Sequence, residues 1–110
     1  MKKNLFLLFL TISSLIQAQY SIHGTMTTPH ENDWVILYKI EGARQIFIQN
    51  TNIKKDTILV DGIKNEIANF DFTLPENAKT GSYRTTYALK GAGFIDFLFN
   101  KEDISFTFNP

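Results

Sequence analysis

The stretch IANFDFTL, residues 67–74, constrains this chain more than any other. Ala68, Phe70, Phe72 and Leu74 alternate with Asn69, Asp71 and Thr73. Strict period two places the apolar set on one face and the polar set on the other, the signature of a half-buried β-strand. Pro75 then closes the run, because it has no N–H to continue a ladder. Upstream the reading stays open: Ile63, Ile67 and Phe70 also fit helical spacing, so residues 64–69 suit either a strand or one helical turn.

The same period recurs along the chain. Tyr20, Ile22, Gly24 and Met26 share a face in YSIHGTM, opposite Ser21, His23 and Thr25. WVILYKI, residues 34–40, is apolar on both faces except at Lys39, which predicts a central strand covered on both sides. EGAR predicts a tight turn into a returning strand at residues 45–53. Asp61-Gly62 is a strong turn pair between Ile58, Val60 and the following run. Tyr83, Thr85, Tyr87 and Leu89 face one way, and Ser82, Arg84, Thr86 and Ala88 the other. Ile95, Phe97 and Phe99, and then Ile104, Phe106 and Phe108, predict two last strands. The four residues Asn100–Asp103 between them read as a hairpin loop.

These segments amount to about seven or eight short strands, with turn signals roughly every eight to twelve residues and no helix longer than a turn. The predicted fold is all-β, an antiparallel two-sheet sandwich. Phe70, Phe72, Phe97, Phe106 and Phe108 are its predicted core.

The first 18 residues read differently. Lys2 and Lys3 precede an apolar run from Leu5 to Ile16, and Gln-Ala-Gln follows, with Ala18 before the expected cut. That order is a secretory signal, and the run is shorter than the ~20 residues of a membrane span. The expected organisation is a signal peptide at 1–18 and a β-sandwich domain at 19–110. The expected location is the periplasm or cell envelope, with no stable membrane insertion after cleavage. Without residues 1–18, nine basic side chains face eleven acidic ones, a net charge of −2. Such a balance argues against a nucleic-acid partner, which needs a basic face. The chain has no cysteine, which excludes thiol catalysis, disulfides and thiolate metal sites.

Candidate chemistry is sparse. His30, Glu31, Asn32 and Asp33 sit together in one loop but lack the second ligand pair of a zinc site, and read as exposed loop residues. Asp56 and Asp61-Gly62 lack the alternating ligands of a calcium loop. Gly91-Ala92-Gly93 precedes no Lys-Ser/Thr pair and is not a phosphate cradle. His23 reads as a lone surface imidazole. No metal, cofactor or catalytic residue is expected, and the chain is read as non-enzymatic. The candidate ligand or partner surface is Trp34, Tyr38, Tyr83 and Tyr87 with Asp96, an acidic residue between Phe94 and Leu98. Set against it is the plainer reading, in which the aromatics are core or half-exposed strand formers and Asp96 is the polar tooth of an edge or half-covered strand.

Four segments in order, YSIHGTM, DWVILYKIEGARQIFIQNT, ANFDFTLPENAKTGSYR and GFIDFLFNKEDISFTFNP, are similar to an uncharacterised secreted β-domain family. That family is a domain of unknown function at the N-terminus of thioredoxin-like (TlpA- or peroxiredoxin-like) proteins of Gram-negative bacteria. The resemblance spans residues 19–110 and rests on strand and turn patterns. It departs from the family at residues 56–69, where a short turn is lengthened. It implies a non-catalytic exported module that positions or accompanies a thioredoxin-like redox domain, or binds an envelope partner. It also implies that this chain is the N-terminal part of a longer protein. The alternative is a stand-alone carbohydrate- or peptide-binding domain. No catalytic residue is carried over, since the matched segments contain none.

Overall fold

The computed structural model describes residues 19–29, 32–88 and 93–110. The leader, His30 and Glu31 of the loop cluster, Leu89, and Gly91-Ala92 lie outside them. Eight strands form: β1 (Gln19–Met26), β2 (Trp34–Glu41), β3 (Arg44–Asn52), β4 (Lys54–Val60), β5 (Ile63–Pro75), β6 (Gly81–Thr86), β7 (Phe94–Phe99) and β8 (Ile104–Phe108). They build two four-stranded sheets, in the order β4-β5-β1-β8 and β3-β2-β6-β7. We call them sheets A and B. The fold is the all-β sandwich that the alternation predicts. Every strand pair is antiparallel except β1–β8, which is parallel.

Residues 68–74 follow the period-two pattern. Ala68, Phe70, Phe72 and Leu74 are buried, and Asp71 and Thr73 are exposed. The ambiguity at 64–69 resolves to strand, because β4 pairs with residues 63–69 from Val60↔Ile63 to Lys54↔Asn69. Asp61 and Gly62 both have positive φ, 52° and 78°, the type I′ geometry that matches strand twist. On β1 the inward position opposite Phe70 is Gly24. A Cβ there would lie 2.2 Å from the Phe70 ring, so the ring packs directly on bare backbone. Phe70 in turn meets Phe72, Phe106 and Phe108 edge-on, with centroids about 6 Å apart. Such ring pairs each add ~0.5–1.5 kcal/mol beyond burial.

Two expectations need correction. Residues 100–103 are not a hairpin loop. They carry the chain from β7 in sheet B to β8 in sheet A, where β8 pairs with β1. The reason is that both strands have an apolar face and both faces need a core. Placed in opposite sheets, the two faces meet across it, with Phe97 and Phe106 rings 6.0 Å apart. The Asp103 carboxylate holds the crossing by accepting the Ser21 N–H at 2.8 Å. The second correction concerns β2. It is central in its sheet, but only one face is buried, with Val35, Leu37 and Lys39 inward. Trp34, Ile36, Tyr38 and Ile40 form its outer face and are half-buried. Among the described residues, side chains of the neighbouring strands stand beside them.

Candidate interaction surface

The outer face of sheet B can be read row by row from the register. Phe47, Tyr38, Arg84 and Asp96 lie side by side on β3, β2, β6 and β7. Ile36, Thr86 and Phe94 form the next row, and Ile40 pairs with Gln45 while Ser82 pairs with Leu98. Period two puts Trp34 on the same face. The bulge at Leu37/Tyr38 leaves Ile48 as the extra residue of β3. It keeps Phe47 on the outer face opposite Tyr38, while Ile48 lines the cleft beside β3 with Ile46. The result is an apolar surface across four strands, with Phe47 59% and Leu98 74% exposed.

Charge on this face is neutralised in place. Arg84 donates from Nε to Asp96 Oδ1 at 2.7 Å and from Nη2 to Oδ2 at 3.0 Å, a two-pronged pair. Its Nη1 also reaches Gln45 Oε1 at 3.3 Å. The guanidinium lies over the Phe94 ring, 4.0 Å from its centroid. The hydrogen bonds that Arg84 donates to Asp96 raise the guanidinium above its already high pKa, so Arg84 stays charged.

The predicted surface set therefore divides. Trp34, Tyr38 and Asp96 share this face. Tyr83 and Tyr87 do not: they are 2% and 7% exposed and belong to the core. Tyr83 stacks on Phe97 at 5.8 Å and donates its hydroxyl to the Lys79 carbonyl at 2.6 Å. Their inward direction follows from β6, whose Tyr83 and Thr85 pair with the inward Phe97 and Ile95 of β7. Sequence reading missed Phe47, Leu98 and Arg84 as surface members. The signal was there for Arg84 and Asp96, each a polar position of its own strand, but the sequence does not say that β6 and β7 are neighbours.

Sheet A differs. Its outer face across β1, β5 and β8 carries Ser21, His23, Thr25, Asn69, Asp71, Thr73, Ser105 and Thr107, in register. Among the described residues, its apolar members Ile58, Val60, Ile63 and Ile67 lie along the β4–β5 arm. His23 is not alone, as the sequence suggested. Asp71 lies opposite it, with Nδ1 2.6 Å from Oδ1, and Thr25 Oγ1 is 3.3 Å from Nε2. This carboxylate–imidazole–hydroxyl order resembles a catalytic relay, but Thr25 donates its proton to Asn69 Oδ1 at 2.9 Å. The imidazole therefore does not activate that hydroxyl. Among the described residues, no three His, Asp or Glu side chains come together as metal ligands. Asp56 accepts the Thr57 N–H and acts as a turn residue.

No family model matches the sequence, and no curated protein or solved structure matches it either.

Proposed function

We propose that this chain is a non-catalytic, exported β-sandwich module that docks a protein partner through the outer face of sheet B. The observation that carries this reading is the contrast between the two outer faces. Over the body of the sandwich, sheet A presents hydroxyls, amides and the hydrogen-bonded His23 and Asp71, whereas sheet B presents Trp34, Ile36, Tyr38, Ile40, Phe47, Phe94 and Leu98. A contiguous apolar face rimmed by polar groups is typical of interaction sites. Aromatic anchors around an arginine are also the composition of binding hot spots. The Arg84–Asp96 pair needs no counter-charge, so a neutral, apolar protein surface fits best. The sequence resemblance supplies the candidate, a thioredoxin-like redox domain or another envelope protein. With Tyr83 and Tyr87 in the core, a carbohydrate platform retains only Trp34 and Tyr38, and a protein partner is the better reading.

Photo-crosslinking tests it. A benzophenone amino acid at Phe47 or Leu98 in cells making the full chain should give a discrete protein adduct, and the same probe at Thr73 or Thr107 should not. Mass spectrometry of the adduct then shows whether the partner carries a thioredoxin-like domain. Equal adducts from both sheets, or none from sheet B, would overturn the reading.

A further inference from the structure

A cleft of about 350 Å³ opens between the sheets beside β3 and the end of β5. Small-molecule sites start at roughly that size. Ile46 and Ile48 of sheet B line it on one side, and Leu74, Pro75 and Ala78 on the other. Into this apolar space the inward face of β2 sends a cation. Lys39 follows Val35 and Leu37 along that face and is only 9% exposed.

The ammonium has three protons to donate. One goes to the Ile40 carbonyl, 3.0 Å away, and the Tyr83 ring lies 5.4 Å from Nζ. Among the described residues, no carboxylate comes within 4.0 Å of it. The other charged residues lining the cleft, Glu41 and Lys79, pair with each other at 3.8 Å. The three groups together leave one positive charge. The Tyr83 hydroxyl is committed to the Lys79 carbonyl, and burial first, then the Glu41 charge, raises its pKa, so it stays neutral. The seat of the ammonium is also shaped. Gly81 has φ +128°, and a Cβ there would stand 3.0 Å from Nζ. The backbone thus leaves space beside the cation that any other residue would fill. A buried cation without a counter-ion is costly, and an anion brought by a ligand relieves that cost.

We infer that this cleft binds a small apolar monoanion, a hydrocarbon chain or ring bearing one carboxylate, with Lys39 taking the carboxylate and Ile46, Ile48, Leu74 and Ala78 taking the body. The site is separate from the outer face of sheet B and does not depend on the partner reading.

Three probes with the same chain and different charge test it: octanoate, 1-octanol and octylammonium, titrated into the purified protein and followed by amide NMR shifts. Octanoate should shift residues of β2, β3 and the 74–83 segment saturably, and bind about ten- to a hundredfold more tightly than octanol, the range of one charge-assisted hydrogen bond. Octylammonium should not bind there. Lys39→Met should remove the preference for octanoate over octanol, and Lys79→Gln, at the rim, should keep it. Equal binding of octanoate and octanol by the unaltered protein would overturn the inference without reference to any variant. So would the absence of octanoate shifts in the cleft at about 10 mM, well above the ~1 mM expected for so small a ligand.

Discussion

Gly24 and Phe70 are in close contact in the core, with the ring against the bare backbone. Because a Cβ at Gly24 would stand 2.2 Å from the Phe70 Cζ, Gly24→Ala must displace that ring and press it on its neighbours Phe106 and Phe108. Overpacking of this kind costs ~1–3 kcal/mol, and the loss should appear directly in denaturant unfolding. Phe72 and Thr73 offer the opposite test. Phe72 is 1% exposed and Thr73 points to solvent. Phe72→Ala should cost ~3–5 kcal/mol, a fall in melting temperature of at least ~12 °C for a domain this size. Thr73→Ala should stay within about 0.5 kcal/mol. Equal effects would mean that the inward face is misassigned. Tyr83 adds a pH dependence. Its folded pKa is raised by burial above the ordinary 10.0. The contribution to stability is therefore present in full below about pH 10 and lost as pH rises through the higher folded value. Above pH 10 the melting temperature should fall more steeply for the native protein than for Tyr83→Phe. Parallel curves would contradict the assignment.

The elements differ in how well the fold protects them. β1 is paired on both sides, with β5 and with β8. Among the described residues, the outer part of the β4–β5 arm has no third strand, and residues 57–60 pair with residues 63–66. Leu59 and Ile63 there are more than 60% exposed. Hydrogen exchange should find the amides of Ile22 to Thr25 among the slowest, and those of Ile58 to Lys64 exchanging orders of magnitude faster through local opening. Uniform protection along β5 would argue against a projecting arm. What sequence could reveal also divides at this scale. Period two in residues 68–74 and the Asp61-Gly62 turn are local, and both are legible because side-chain direction and φ are set within a few residues. The path of residues 100–103 is not local. A hairpin and a crossing between sheets use the same short, polar, turn-forming link. The choice is made by β1, about eighty residues upstream, which accepts β8 in parallel. For the same reason Tyr87 reads equally well as surface or core until β6 has neighbours, and the His23–Asp71 pair appears only once Ile22 is set against Phe72.

At the scale of the whole molecule the sandwich has two unlike outsides. Hydrophobic burial explains the shared interior, but Trp34, Phe47, Phe94 and Leu98 contribute little to it, and Leu98 remains 74% exposed. Replacing Leu98 by a polar residue should leave the melting temperature within about 0.5 kcal/mol of the native value. That separates a surface kept for a partner from one kept for folding. The chain has no cysteine, so one introduced thiol reports on one place. The most direct measurement is maleimide labelling of Leu98→Cys and Thr107→Cys, in intact cells making the full chain and in the purified protein. A docked partner should slow labelling at Leu98→Cys in cells by tenfold or more, an order-of-magnitude expectation for a residue within a formed interface, while Thr107→Cys reacts at similar rates in both. Equal labelling of Leu98→Cys in cells and in isolation would contradict a partner on the outer face of sheet B.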